Sequence, residues 1–121
     1  MIVKGLGQRK GIDFDKIFSR FVNMFSILNV LGLAASLNLE IEQIDVKTTF
    51  LHGDIEEEIY MEQPEDFKVE GKENFVCKLK KSLYGLKQAP RQWYKKFESV
   101  MGDHGYKKTL SDHFLFVQKK L

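Results

Sequence analysis

Cysteine and proline are nearly absent from this 121-residue sequence, which has one Cys, at position 77, and two Pro. One thiol excludes an internal disulfide framework and a cysteine zinc cage, and it fits a reducing compartment. His52, His104 and His113 add no His-x-x-x-His spacing to Cys77, so zinc has no support. The chain does not open with a basic n-region and an apolar run. A secretory signal is therefore not expected, and an intracellular location, cytoplasm or nucleus, is. No nucleophile elbow and no phosphate-cradling Gly-rich loop occurs. Repeats, low-complexity tracts and Gly/Ser linkers are also missing, which leaves one domain.

The sequence does have apolar material. Hydrophobic residues make up 43% of the chain, ten of them Phe, and 30% is charged. That is enough to fold and unlike a disordered tail. The net charge of +2 hides an asymmetry. Residues 1–60 carry six basic and nine acidic side chains, and residues 61–121 carry thirteen and eight. Residues 54–66 hold seven carboxylates and no cation, whereas residues 78–108 hold nine cations against Glu98 and Asp103. The basic stretch, interleaved with Tyr84, Trp93 and Tyr94, could meet a polyanion such as a phosphate backbone, or it could be a solvated helix face.

Gly5, Gly7 and Gly11 flank short segments that could end a hairpin. Residues 21–37 form the most apolar stretch, interrupted by Asn23, Ser26, Asn29, Gly32 and Ser36. At about 17 residues it is too short and too polar for a membrane span, so it reads as a buried helix ending near Asn38. Residues 40–46, 59–61 and 75–79 read as short strands. Pro90 begins a helical pattern through Met101, with Trp93, Phe97, Val100 and Met101 on one face. Phe114 and Phe116 mark a last strand. The order predicts an α+β fold, an antiparallel sheet packed by helices on one face.

Two segments could carry chemistry. Asp45 closes the 40–46 segment, where a carboxylate can offer a hard oxygen ligand to Mg²⁺. The same residue could equally be a helix N-cap or turn aspartate. The second segment runs Ser82-Leu83-Tyr84-Gly85-Leu86-Lys87-Gln88-Ala89-Pro90-Arg91-Gln92-Trp93. Gly85 permits close backbone approach, and Lys87 and Arg91 flank a Pro-started helix N-terminus that favours anions. A turn followed by an amphipathic helix burying Trp93 explains the same residues.

Read together, the two segments resemble the reverse transcriptase of copia-type LTR retrotransposon polyproteins. The resemblance is carried by Gln43-Ile44-Asp45-Val46-Lys47-Thr48-Thr49-Phe50-Leu51-His52-Gly53-Asp54, by Glu56-Glu57-Glu58-Ile59-Tyr60-Met61-Glu62-Gln63-Pro64-Glu65, and by Lys80-Lys81-Ser82 through Tyr94. Gly11-Ile12-Asp13-Phe14 and Ser111-Asp112-His113 extend it over roughly residues 3–120. It implies an RNA-directed DNA polymerase fold of palm and fingers, with Mg²⁺ as cofactor and RNA template, DNA primer and dNTP as partners. The rest of a retrotransposon polyprotein is a further partner, and no membrane is implied.

By motif position, the resemblance makes Asp45 the catalytic and metal-binding carboxylate. Val46, Phe50, Gly85, Lys87 and Gln88 become nucleotide contacts, Phe50 as the ring that excludes ribonucleotides. Tyr84, Pro90, Arg91 and Lys95 become nucleic-acid contacts.

The departures shape the expectation as much. The family's Tyr-x-Asp-Asp hairpin is absent, and no adjacent Asp-Asp pair occurs in the chain. Met1-Ile2-Val3 enters after the family's Lys-Ala-Arg segment of the fingers. Arg20-Phe21 stands where Pro-Val is usual, and Leu28 where Arg commonly follows Ser-Ile. Residues 1–121 are thus expected to be a single partial domain, inactive alone. The rival expectations are a non-catalytic nucleic-acid-binding remnant and a functionless retrotransposon relic.

Overall fold

A computed structural model describes residues 3–19 and 21–119. Met1, Ile2, Arg20, Lys120 and Leu121, which enter the resemblance or its departures above, lie outside the described residues. The fold is small and α+β: helices α1 (Met24–Ser36) and α2 (Ala89–Asp103), and two separate antiparallel ribbons. Strands β1 (Tyr60–Glu62) and β2 (Val76–Lys78) pair with Met61 opposite Cys77; β3 (Lys107–Lys108) and β4 (Phe116–Val117) pair with Lys108 opposite Phe116. Single 3-10 turns occur at Gly5–Gly7, Thr49–His52 and Glu65–Phe67.

Local chemistry explains where each helix begins and ends. The Asn23 side chain accepts the Phe25 N–H at 2.9 Å and caps α1. At its far end Asn38 takes a left-handed φ of 53°, and the Leu39 N–H returns to the Ala34 carbonyl at 2.8 Å. In α2 Pro90 sits in the first turn, where a missing N–H costs nothing. Gly105, at φ 80°, ends the helix while the Tyr106 N–H bonds to the Met101 carbonyl at 2.9 Å. The long β1–β2 connection is organised by one side chain. Gln63 Nε2 donates to the carbonyls of Lys72 (2.7 Å) and Phe75 (2.8 Å), and its Oε1 accepts the Val69 N–H at 3.1 Å.

The core is Ile59, Leu86 and Ala89, with Val3, Phe50, Ile55, Leu79 and Leu83 packed against it. A second apolar layer joins α2 to the β3–β4 ribbon. Tyr94 packs on Phe114 with ring centroids 4.8 Å apart, and Phe97 meets Phe116 edge-on at 5.5 Å.

The structure corrects several expectations. The 40–46 segment belongs to no strand, because no second strand among the described residues forms a ladder with its backbone. The expected single sheet is two ribbons. The Gly5–Gly11 region is a 3-10 turn and an isolated Lys10–Phe14 bridge, not a hairpin end. Helix α1 forms where expected but is not buried: Leu31 is 44% and Leu33 56% exposed, and of its residues only Ala34 is buried. A helix apolar on all sides belongs in a core, so its cover is not among the described residues. Phe114 and Phe116 are half-buried, and the exposed large apolar side chains include Phe25 and Leu33 on α1 and Phe21, Ile44 and Phe67 outside it. Among the described residues no helix is long and apolar enough to cross a membrane.

Candidate nucleotide and nucleic-acid site

The loop at residues 82–88 is shaped by the chain's first residues. The Val3 N–H bonds to the Tyr84 carbonyl at 2.7 Å, and Gly85, at φ 97°, lies directly against Val3 and Gly5. A Cβ on Gly85 would come to 1.8 Å from the Val3 carbonyl oxygen, and one on Gly5 to 1.9 Å from that of Gly85. Two glycines are therefore required for two backbones to touch.

Gln8 continues the clamp. Its Oε1 accepts the Lys87 N–H at 2.8 Å, its Nε2 donates to Gln88 Oε1 at 3.0 Å, and its own carbonyl accepts the Lys87 ammonium at 3.1 Å. That ammonium also lies 5.2 Å above the Phe14 ring. Gln88 is fully buried, and its Nε2 donates to the Asp13 carbonyl (3.1 Å) and to Glu57 (3.4 Å).

The sequence places Lys87 and Gln88 as nucleotide contacts. Here Gln88 is turned inward with its polar atoms engaged, while Tyr84 and Gly85 are exposed. Gln8 and Asp13 were not among the sequence candidates. Nothing local marks their link to the loop, since Gln88 lies 75 to 80 residues away.

Phe50 reaches this loop. Its ring lies 5.1 Å from that of Tyr84, and it packs on the Ile59–Leu86–Ala89 core. The turn carrying it is held by Thr48, at φ 53°, and by Thr49 Oγ1 donating to the Val46 carbonyl at 2.8 Å. Gly53 lets the turn sit on α2, since a Cβ there would stand 2.9 Å from that of Gln92. Asp45 and Val46 lie just before it, both exposed on the unpaired segment. Pro90, Arg91 and Lys95 follow on the first turns of α2, all half-buried.

The charge pattern looks different in three dimensions. Four of the nine cations in residues 78–108 are ion-paired: Lys78 with Glu58, Lys81 with Asp54, Lys95 with Glu56, and Lys108 with Glu98. Three carboxylates of the acidic run thus lie against cations of the basic one. Hydrogen bonds from Lys81, Lys95 and Lys78 hold the carboxyls of Asp54, Glu56 and Glu58 below their usual range. Glu58 in turn holds the Lys78 ammonium above its own.

A pair of Mg²⁺ ions needs several convergent carboxylates. Among the described residues no three His, Cys, Asp or Glu side chains are grouped to hold a metal, and Asp45 stands alone on an exposed segment. This donor set does not fit a two-ion centre.

Comparison with known proteins agrees with the motif reading. The family model for reverse transcriptase (RNA-dependent DNA polymerase) matches residues 1–120. The chain is 65% identical over 119 residues to the retrovirus-related Pol polyprotein from transposon TNT 1-94 of Nicotiana tabacum. That alignment covers 98% of this chain and 9% of the polyprotein. It is 41% identical over 120 residues to the retrovirus-related Pol polyprotein from transposon RE1 of Arabidopsis thaliana, covering 99% of this chain and 8% of that one. The transposon Ty1-BL Gag-Pol polyprotein of Saccharomyces cerevisiae is 36% identical over 83 residues, 69% of this chain and 5% of the relative. No solved structure matches. The chain spans less than a tenth of the length of these relatives, and within that span it belongs to the reverse transcriptase (RNA-dependent DNA polymerase) family, in the branch of copia-type retrotransposon Pol polyproteins.

Proposed function

We propose that these residues form the part of an RNA-directed DNA polymerase that shapes the nucleotide and template site, and that alone they do not polymerise. One observation carries the reading: the Phe50 ring packs at a tilt against Tyr84 and so brings the turn that follows Asp45 against the loop of residues 84–90. In this reading Asp45 is the metal-binding catalytic carboxylate, and Val46, Phe50, Gly85 and Lys87 border the incoming dNTP. Gln88 acts from inside as a brace for that border. Tyr84, Pro90, Arg91 and Lys95 face the RNA template and DNA primer.

Catalysis by two ions requires further carboxylates that the 121 residues do not bring to Asp45. Non-catalytic nucleic-acid binding is thus the activity this chain would show in isolation. Primer extension on a primed RNA template with Mg²⁺ or Mn²⁺, alongside an Asp45→Ala control, tests the proposal. No extension is expected, because removing single transition-state donors already costs about a hundredfold or more. Robust extension abolished by the substitution would overturn it.

A further inference from the structure

Of the nine cations in residues 78–108, five stand outside the ion pairs described above, Lys87 among them. One residue fixes both of its ends. Gln8 Oε1 accepts the Lys87 N–H at 2.8 Å, and the Gln8 carbonyl accepts the Lys87 ammonium at 3.1 Å. Gln8 is held in turn: its N–H closes the Gly5–Gly7 turn onto the Gly5 carbonyl at 3.1 Å, and its Nε2 donates to the fully buried Gln88 at 3.0 Å. The next turn brings Phe14 to the same place. The Asp13 carboxylate accepts the Arg9 N–H at 2.7 Å, and the Gly11 N–H bonds to the Phe14 carbonyl at 2.8 Å. The buried Phe14 ring then lies 5.2 Å from the Lys87 ammonium.

The neutrality of these partners is what sets Lys87 apart from its neighbours. A carboxylate that holds a lysine also offsets its charge, as at Lys78, Lys81 and Lys95. A carbonyl and a ring face hold the ammonium and leave its net charge in place. Of its three N–H donors, one goes to the Gln8 carbonyl and two remain for an oxyanion. A lysine with a free side chain has to be ordered as it binds, which weakens binding.

We propose that Gln8 is a positioning residue of the nucleotide border, holding Lys87 ordered and fully charged for the triphosphate of an incoming dNTP. The inference rests on the reading of Lys87 as a nucleotide contact. Gln8 touches no substrate and acts through Lys87, with Phe14 as the second support.

The test is NMR on the 121-residue chain, first without ligand and then titrated with dTTP. Without ligand, the Phe14 ring should move the Lys87 Hε protons upfield. Gln8→Met keeps the side-chain length, removes both side-chain hydrogen bonds and should abolish that displacement. With dTTP, Lys87→Met should weaken binding about tenfold, the effect of one charge-assisted bond. Gln8→Met should weaken it about fivefold, the effect of having to order one long side chain on binding. In the double variant Gln8→Met should add nothing, because its route to the nucleotide is Lys87. Gln8→Glu keeps the acceptor for the Lys87 N–H and adds a carboxylate to the residue that holds the ammonium. It should keep the displacement and still weaken dTTP binding, so the proposal does not depend on Gln8→Met folding. If Gln8→Met weakens binding equally with and without Lys87, Gln8 only keeps the loop folded and the proposal is overturned. A wild-type Lys87 without the upfield displacement overturns it too. Binding weakened by Lys87→Met but by neither Gln8 variant overturns the proposal and leaves the nucleotide reading of Lys87 standing. No dTTP binding, or affinity unchanged in Lys87→Met, removes that reading and the proposal with it.

Discussion

Replacing Gly85 by alanine should unfasten the loop from the first residues of the chain, and the structure separates the reasons. At φ 97° a non-glycine residue is strained by about 1–2 kcal/mol whatever surrounds it. The new Cβ also falls 1.8 Å from the Val3 carbonyl oxygen, far inside the 3.0 Å below which such contacts essentially never occur. Because the obstacle is backbone, it cannot rotate away, and the two strands of chain must part. Parting breaks the Val3 N–H to Tyr84 bond, worth about 1 kcal/mol, and uncovers Leu86, which the core buries. The sum is about 3 kcal/mol or more, a large share of the roughly 5–15 kcal/mol that holds a domain together.

Two controls isolate the contributions. Gly71→Ala has the same positive φ but open space around its Cβ, so it should cost only the dihedral strain. Gly5→Ala has the backbone collision from the other side without a positive φ, and should lose most of what Gly85→Ala loses. Amide hydrogen exchange at Leu86 and Ala89 is the assay, with tenfold in protection per about 1.4 kcal/mol. Protection should fall by about a hundredfold in Gly85→Ala. If that variant exchanges like Gly71→Ala, the inferred backbone contact does not exist.

Asp112 ties α1 to the β3–β4 connection, its carboxylate accepting from the Phe114 N–H at 2.8 Å and the Asn23 N–H at 3.4 Å. The Ser26 hydroxyl, and then those N–H groups, hold its carboxyl below the ordinary aspartate value of 3.8. Its contribution to stability should be full above that value and lost as pH falls through the lower folded one; pH-dependent exchange at Asn23 and Phe25 that is flat in Asp112→Asn would show it. Helix α1 exposes Phe25, Leu28 and Leu33, so the isolated chain should self-associate, and Phe25→Ser with Leu28→Lys should raise its monomer fraction in analytical ultracentrifugation. A wild-type chain that is monodisperse at high concentration would contradict this. The ion pairs also predict a shallow salt dependence for single-stranded RNA. Nine free cations would give a log–log slope near −6, whereas the five outside the four pairs give about −3.5.

What the sequence reveals of the fold follows how local each determinant is. Helix α2 is readable because Pro90, the spacing of Trp93 and Phe97, and the glycine that stops it all act within a few residues. The far end of α1 is readable for the same reason, through Asn38, whereas Asn23, which reads as an interruption inside the helix, is its cap. The burial of α1 is not readable, because burial depends on what packs against it, and most of the residues that α1 offers a partner find none in the described chain. The 40–46 segment shows the same limit more sharply. Ile41, Ile44 and Val46 suit a strand, yet a strand exists only when a second backbone accepts from its N–H groups and donates to its C=O groups.

The site divides along the same line. The order of the motifs identifies the loop and the Asp45–Phe50 turn, but a motif reports residue types and not which way they face. Gln88, which reads as a ligand contact, is fully buried, as is Ser82 in the same loop, and it joins Gln8, Asp13 and Glu57 in one bonded cluster. Such burial has a physical basis. A loop that must present backbone to a ligand cannot also leave its amides free to rearrange, so some side chain must hold it from behind, and a buried amide with both donor and acceptor can serve several backbones at once. The basic stretch follows the same logic. Counting charges along the chain gives its sign, but the carboxylates of residues 54–58 decide how much of it a polyanion can reach.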